Sequence, residues 1–412
     1  MAKPELLTGL DMGSGRVTCV IGTPDPEGAG VRVLGGSSVA CRGLKGGVVL
    51  NIHETARAVR AAVEKAEEEA QQMVHGVYLG VRGSHLQSFN NRGAINIART
   101  DKEITAEDVA AVIDTAKAVP ISSDREILHV VPQSFALDRQ KGVPDPVGME
   151  GSLLDVEVHI VTASRSHLNN LTKAVAEAGF DVIEPVYSLL SLGELVVSPE
   201  ERELGSLLID FGGQSVSLGI FSEGSVVFSK ELAIGSDFIT RDLAVGLRTN
   251  MPTAERLKVE YGVAHPRLVN GDASITFKGV DGRTEHEIKT STMTNIILPR
   301  VEEIFTLIGE EVQNSSFADS VVPGGAILSG GGALLNGIPD AAEQILNMPA
   351  RIGLAHPEAI SAPDRLMESP YATALSLVSY SQTNTFQGFS RSGGVPEARW
   401  MRKLKGLFRD LF

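Results

Sequence analysis

The chain has little cysteine, no long apolar run and no excess of basic charge. Its 412 residues contain two cysteines, Cys19 and Cys41. That excludes a disulfide framework and a cysteine-based metal cluster, and two free thiols suit a reducing compartment. No apolar stretch reaches the ~18 residues that a membrane span needs. The net charge is -14, the opposite of the basic footprint of a general nucleic-acid binder, so no nucleic-acid partner is expected. MAKPELLTGLD places Glu5 and Asp11 where a secretory leader has its apolar core, so no leader is expected. There is no Gly-Lys dipeptide, which excludes a P-loop, and Gly13-Ser14-Gly15 lacks the third glycine of a Rossmann fingerprint. The nine histidines form no HxxxH or similar cluster, so a dedicated transition-metal site is not expected.

What is present is the composition of a globular protein, 42% hydrophobic and 21% charged, long enough for two to four domains of ~100–200 residues. Strand-like and helix-like segments alternate, which predicts an α/β architecture. LLTGL (6–10) and RVTCVIG (16–22) read as a hairpin around Gly-Ser-Gly, residues 54–72 as a helix, and VYLGV (77–81) as a strand. From 82 to about 165 the pattern changes. A helix opens at Thr105 with Asp108 in a capping-box position, and the strands EILHVVPQSFAL and LLDVEVHIVTAS flank the turn-rich KGVPDPVGMEG. This predicts an inserted α+β module, followed by a helix ending at Gly179. GSLLIDFGGQSVSLGIF (205–221) reads as a second hairpin, TAERLKVEYG (253–262) and TNIILPRVEEIFTLIGEEVQ as helices, and AILSGGGALLNGI (326–338) as a buried strand, a triple glycine and a helix start.

The two hairpins repeat one pattern: an Asp at the end of an apolar strand (Asp11, Asp210), then x-Gly and a tight turn. Glycine lets the backbone approach a phosphate, and successive amides in such a turn form an anion cradle. An Asp there can hold Mg²⁺ through water. Candidate nucleotide-binding residues are therefore Asp11, Gly13, Ser14, Gly15 and Arg16 in the first turn and Asp210, Gly212, Gly213, Gln214 and Ser215 in the second. Gly330, Gly331 and Gly332 join them, with Asp11 and Asp210 as metal partners through water.

This constellation resembles the actin, sugar-kinase and heat-shock-chaperone ATPase superfamily. Within it, the chain is similar to the FtsA family of bacterial cell-division proteins, on ERELGSLLIDFGG, the TAERLKVEYG helix, PYATAL, the inserted module and the C-terminal amphipathic segment. The resemblance implies two lobes with ATP in the cleft, actin-like filaments, attachment to the cytoplasmic face of the inner membrane at the division site, and recruitment of FtsZ and later division proteins. It also implies two crossing helices, at 182–195 and within SPYATALSLVSY. Pilus-assembly ATPases and sugar kinases of the superfamily are the alternatives.

Against relatives that read Asp-x-Gly-Gly-Gly-Thr, often with an acid two residues further on, Gln214, Ser215 and Ser217 imply nucleotide binding with weak or no hydrolysis. Glu184 matches a water-orienting glutamate and, with Asp11 and Asp210, makes up the catalytic candidates; a solvated or capping Glu is the plain alternative. Glu255 and Lys258, one turn apart, border the adenosine in the superfamily or form an ordinary exposed pair. In the resembling family the small subdomain of the second lobe takes the acidic C-terminal peptide of FtsZ. Arg300, and less strongly Lys289, are candidates for a carboxylate clamp; alternatively Arg300 is a helix-face residue paired with Glu303.

The expected organisation is a first-lobe core at 1–81 and 165–195, an insert at 82–164 and a second-lobe core at 196–245 and 303–380. A small subdomain at 246–302, a polar linker at 381–396 and a terminal helix at 397–412 complete it. In that helix Trp400, Met401, Leu404, Leu407, Phe408, Leu411 and Phe412 trace one face, while Arg402, Lys403, Lys405 and their basic neighbours fill the other. Such a helix suits an anionic membrane interface; docking on the core or on a protein partner is the alternative. The whole is an α/β, two-lobed actin-like ATPase fold with an insert in the first lobe and a C-terminal amphipathic helix.

Overall fold

A computed structural model describes residues 6–26, 30–269, 271–321, 323–356 and 358–383. The expected linker from 384 onward and the terminal helix lie outside the described residues.

The first lobe begins with β1 (Leu7–Met12), β2 (Arg16–Pro24) and β3 (Val31–Ala40). A small ribbon, β4 (Leu44–Lys45) and β5 (Val48–Val49), turns at Gly46-Gly47. Helix α1 (Ile52–Ala70) is capped by Asn51 and buries an Ala/Val stripe from Ala56 to Ala70. Strand β6 (Gly76–Val81) then leads into the insert. The insert comprises β7 (Leu86–Asn96), α2 (Ala106–Lys117), β8 (Arg125–Leu137), β9 (Gln140–Val143) and β10 (Leu153–Ser164). Its sheet has the order β7-β10-β8-β9, and α2 opens with the expected capping box of Thr105 and Asp108. The chain returns through α3 (Arg165–Ala178), β11 (Asp181–Tyr187) and α4 (Ser188–Val196).

The second lobe contains α5 (Pro199–Leu204), β12 (Ser206–Phe211), β13 (Val216–Ser222), β14 (Ser225–Leu232), α6 (Ser236–Gly246) and α7 (Met251–Tyr261). The hairpin β15 (Ser274–Lys278) and β16 (Glu285–Lys289) follows, then α8 (Thr290–Asn314), β17 (Ala326–Ser329), α9 (Ile338–Leu346) and β18 (Ala350–Ile352). Its sheet runs β14-β13-β12-β17-β18. Last come β19 (Ile360–Ser361) and α10 (Ala372–Thr383).

Two expectations need correction. Residues 182–195 are not one crossing helix: β11 runs to Tyr187, and only α4 is helical. Val182, Ile183 and Val186 favour a strand, and Pro185 is tolerated because β11 is the edge of the sheet β11-β6-β1-β2-β3-β19. Nor does the second lobe extend to 380. β19 pairs in parallel with β3, and Ile360, Leu366, Ala374, Leu375 and Val378 join the first-lobe core. Gly9 on β1 permits this: a Cβ there would lie 2.2 Å from the Ala374 carbonyl oxygen. The crossing helices α4 and α10 do meet, through a 2.9 Å hydrogen bond between the Ser191 and Ser376 hydroxyls. Helix α10 also continues to Thr383, past the expected linker start at 381.

The insert docks on the second lobe. Ser88 Oγ donates to the Ser229 carbonyl (2.6 Å), Asn90 Nδ2 to that of Val227 (2.9 Å), and Gln133 Nε2 to that of Val226 (3.1 Å). These side chains cover the free edge of β14, where unpaired backbone groups would otherwise stand open.

Candidate functional site

The two repeated turns face each other across the lobes. Asp11 ends β1, and its register places it opposite Thr18, with Thr18 opposite Ser38. Asp210 ends β12, opposite Ser217 on β13 and Ser329 on β17. Side chains directly opposite across neighbouring strands share one face, so each sheet ends in a row of polar groups beneath its turn. In the first turn, Ser14 Oγ accepts from the Gly46 amide (3.1 Å), and Arg16 is tied back to β3 through Ser38 (2.8 Å from Nε to Oγ). In the second, the Gly212 amide closes onto the Ser215 carbonyl (3.0 Å). The carbonyls of Gly212 and Gly213 take the amides of Ser236 and Asp237 at the start of α6. Gln214 folds onto Asp237, with Nε2 at 2.9 Å from Oδ2.

Between the aspartates lies Arg82, immediately after β6. Its Nη2 donates to Asp11 Oδ1 (3.1 Å) and to Thr373 Oγ1 on α10 (3.0 Å). Its Nη1 lies 3.2 Å from Asp210 Oδ2, an ion pair without hydrogen-bond geometry. All three residues are buried, at 9% exposure for Asp11, 8% for Arg82 and 1% for Asp210. Burial raises the Asp11 carboxyl above its ordinary range, with Arg82 pulling it back and Asp210 pushing it further. Burial likewise disfavours the Arg82 cation, but Asp11, Asp210 and Glu231 together outweigh that and hold it charged.

Glu231 is the second residue that the sequence reading missed. It sits on β14 opposite Ser217, so the row Ser329, Asp210, Ser217, Glu231 crosses four strands. The Gly83 amide donates to its Oε2 at 3.0 Å. Burial pushes its carboxyl up to about 7, opposed by the Ser217 hydroxyl, the Gly83 amide, Tyr187 and Arg82. The acid that the second turn lacks at Ser217 is thus available from the adjacent strand. Neither residue carries a motif: Arg82 stands in an unremarkable Val-Arg-Gly loop, and only the β13–β14 register reveals Glu231.

The third glycine cluster completes the cleft. Gly330 has φ of +82°, and a Cβ there would sit 2.5 Å from Asp210 Oδ1. A Cβ on Gly331 would meet nothing within 4 Å, so the backbone there borders open space. Lys258, only 6% exposed, pairs with Glu255 (2.8 Å) and donates to Thr240 Oγ1 (2.9 Å) on α6. Lys258 is therefore buried, while its partner Glu255 stays exposed on the helix face. Glu184 accepts from Tyr380 Oη at 3.2 Å. It lies beside Tyr78 in the sheet register, and β11 continues beyond it to Tyr187.

The proposed peptide clamp fares differently. Arg300 directs its fork at Asp242 on α6, with Nε at 2.6 Å from Oδ2 and Nη2 at 3.2 Å from Oδ1, and also pairs with Glu303. The bidentate geometry that made it a candidate is already used internally, because α6 places a carboxylate opposite it. Lys289 forms an exposed 3.1 Å pair with Asp272, which a competing carboxylate displaces at little cost.

The site's chemistry fits a nucleotide with its metal. Asp210 Oδ1 and Oδ2 and Arg82 Nε are buried without hydrogen-bond partners, at the point where two glycine turns and an open glycine backbone converge. A sequence model described as "Cell division protein FtsA" matches residues 207–376, and one described as "SHS2 domain inserted in FTSA" matches 83–162. The chain is 31% identical over 409 residues to the cell division protein FtsA of Pseudomonas aeruginosa, covering 97% of each. It is 33% identical to that of Neisseria meningitidis, over 90% of this chain and 88% of the relative. This chain belongs to the FtsA family of cell division proteins.

Solved structures of similar fold include the PilM-PilN type IV pilus biogenesis complex (TM-score 0.65, 16% identity, 93% of this chain and 99% of that one). Another is MreB5 of Spiroplasma citri bound to ADP (TM-score 0.57, 15% identity, 92% and 97%). The fold is actin-like, with an SHS2 insert of the FtsA type at 83–162. No described helix is long and apolar enough to cross a membrane.

Proposed function

We propose that this FtsA family member is an ATP-dependent scaffold: it binds ATP with Mg²⁺ in the interlobe cleft, self-associates, attaches to anionic membrane, tethers FtsZ and recruits later division proteins. The observation that carries the nucleotide part is the convergence of Asp11 and Asp210, from equivalent turns of the two lobes, on one buried cation, Arg82, with Asp210 Oδ1 and Arg82 Nε left without hydrogen-bond partners. The nucleotide-bound MreB5 neighbour is consistent with it. Asp11 and Asp210 would hold Mg²⁺ through its water shell, and the metal would supply charge neutralisation at the phosphates. The turn amides of Gly13 to Arg16 and Gly212 to Ser215 would cradle phosphate, and Gly331 and the Glu255–Lys258 network would border the adenosine. Turnover is expected to be slow, because Gln214, Ser215 and Ser217 stand where faster relatives of the superfamily carry glycine, threonine and an acid.

Membrane attachment rests on the basic amphipathic pattern of residues 397–412. The FtsZ contact rests on the 246–302 region, with Lys289 as one of its accessible cations; fluorescence anisotropy of Lys289→Glu with the acidic FtsZ peptide reads that contact. For the nucleotide site, Asp210→Ala is expected to weaken MgATP binding at least tenfold in calorimetry. Gly331→Val is expected to block it by placing a branched side chain in the open space. Parental affinity in both variants would refute the assignment.

A further inference from the structure

The guanidinium of Arg82 occupies the space between Asp11 and Asp210 in which the proposed metal would be held. It is held there by both lobes at once: Asp11 and Thr373 from the first, Asp210 from the second. The loop that carries it is fixed on two sides. A Cβ on Gly47, at φ +79°, would fall 2.1 Å from the Arg82 carbonyl oxygen, so the ribbon turn lies directly against this backbone. On the other side, the Gly83 amide is anchored to Glu231. The backbone is thus pinned while the side chain spans the cleft, with Nε buried and unpartnered.

Two cations cannot share one pair of carboxylates without strong repulsion in a buried site. Asp11 and Asp210 would therefore have to release the guanidinium in order to hold a metal. Arg82, over nine-tenths buried and anchored at its backbone, has few places to go. A phosphate oxygen beside the metal is the acceptor that preserves its charge pairing, and the planar fork suits phosphate bidentately. Gly331 and the Glu255–Lys258 pair belong to the Asp210 lobe, whereas Arg82 enters from the Asp11 lobe at the end of β6, so with the adenosine on the former the triphosphate would extend toward the latter. On this reading the Asp11 lobe would receive the terminal phosphate of a nucleoside triphosphate.

We propose that Arg82 is a terminal-phosphate ligand that exchanges the aspartate pair for the triphosphate, and so gives the cleft its preference for ATP over ADP. This rests on the nucleotide reading above. Calorimetry with MgATP and MgADP on the full-length protein tests it, using Arg82→Gln and Arg82→Lys. The parent is expected to bind MgATP more tightly than MgADP. Arg82→Gln is expected to lose about 10- to 100-fold in MgATP affinity, the worth of a charge-assisted hydrogen bond. MgADP affinity is expected to hold or improve, since the freed carboxylates no longer pair with a competing cation. Arg82→Lys, which keeps the charge without the fork, is expected to fall between. A merely structural role would weaken both nucleotides alike, and that result, or unchanged MgATP binding, overturns the proposal. If circular dichroism shows Arg82→Gln to be unfolded, Arg82→Lys decides by the same ratio. A parent that binds neither nucleotide refutes the nucleotide reading itself, whereas a parent that binds both with equal affinity refutes only the role of Arg82.

Discussion

Glu231 is the residue whose environment makes the clearest claim about pH. Its carboxyl is raised from 4.5 to about 7 because it is buried, and the donors around it (Ser217, the Gly83 amide, Tyr187) and the Arg82 cation offset that only in part. Between those two values the folded protein retains a proton that the unfolded chain releases. Stability contributed by this group therefore falls as pH rises through that window. Glu231→Gln removes the titration while keeping an acceptor for Gly83. It is expected to be neutral at pH 5 and to gain on the order of 1–3 kcal/mol at pH 8 relative to the parent. Urea midpoints of both proteins at the two pH values provide the check; a difference that does not change with pH would mean that Glu231 does not titrate there.

At this same scale the sequence was uneven in what it revealed. Asp11 and Asp210 were legible because a strand end, a glycine turn and a second strand repeat around each. Arg82 and Glu231 were not, because their roles come from contacts spanning 71 positions (Arg82 to Asp11) and 148 positions (Gly83 to Glu231). Arg300 had the right chemistry for a clamp, but sequence spacing revealed only Glu303 and not Asp242, 58 positions away on another helix.

Among the elements, local signals were the most dependable. The capping box at Thr105 and the αL glycine at Gly179 mark true helix ends, because both depend on neighbouring residues alone. The segment 182–195 misled, since a β-branched strand passing into a leucine-rich helix leaves no break in apolar character. The end of the second lobe was misplaced for a related reason: the return of α10 to β1 depends on Gly9, a glycine that a strand reading gives no reason to single out.

Gly9 also connects packing to the site, because α10 carries Thr373, a partner of Arg82. Gly9→Ala would drive a methyl into the Ala374 carbonyl and shift the helix outward. Overpacking of this kind costs roughly 1–3 kcal/mol. A lowered urea midpoint is expected; an unchanged midpoint would show that the helix yields without cost.

For the whole molecule, two actin-like lobes, an insert docked on β14 and a basic C-terminal segment belong to one acidic chain. Residues 397–412 carry five basic residues against Glu397 and Asp410, a charge of +3, which leaves -17 on the rest of a chain at -14. As the expected helix on a membrane, the segment's seven apolar side chains would bury roughly 10 kcal/mol gross at ~1.5 kcal/mol each. Ordering some thirteen residues into a helix costs ~1 kcal/mol apiece. These terms nearly cancel, so the remaining drive is the attraction of the basic residues for an anionic leaflet, ~1 kcal/mol each, opposed by the acidic body. On the proposed membrane role, one copy would therefore bind weakly and release in salt. If ATP assembles subunits as proposed, several segments would engage together, and avidity would make attachment firm. Liposome pelleting is accordingly expected to require anionic lipid, to fall with salt and to rise with ATP. Leu407→Glu, which places a charge on the apolar face, is expected to abolish it, while Ser392→Glu leaves it nearly unchanged. Tight, salt-insensitive binding to neutral liposomes by a protein that stays monomeric would contradict this balance of terms, because hydrophobic burial alone would then have to hold a single short helix at the interface.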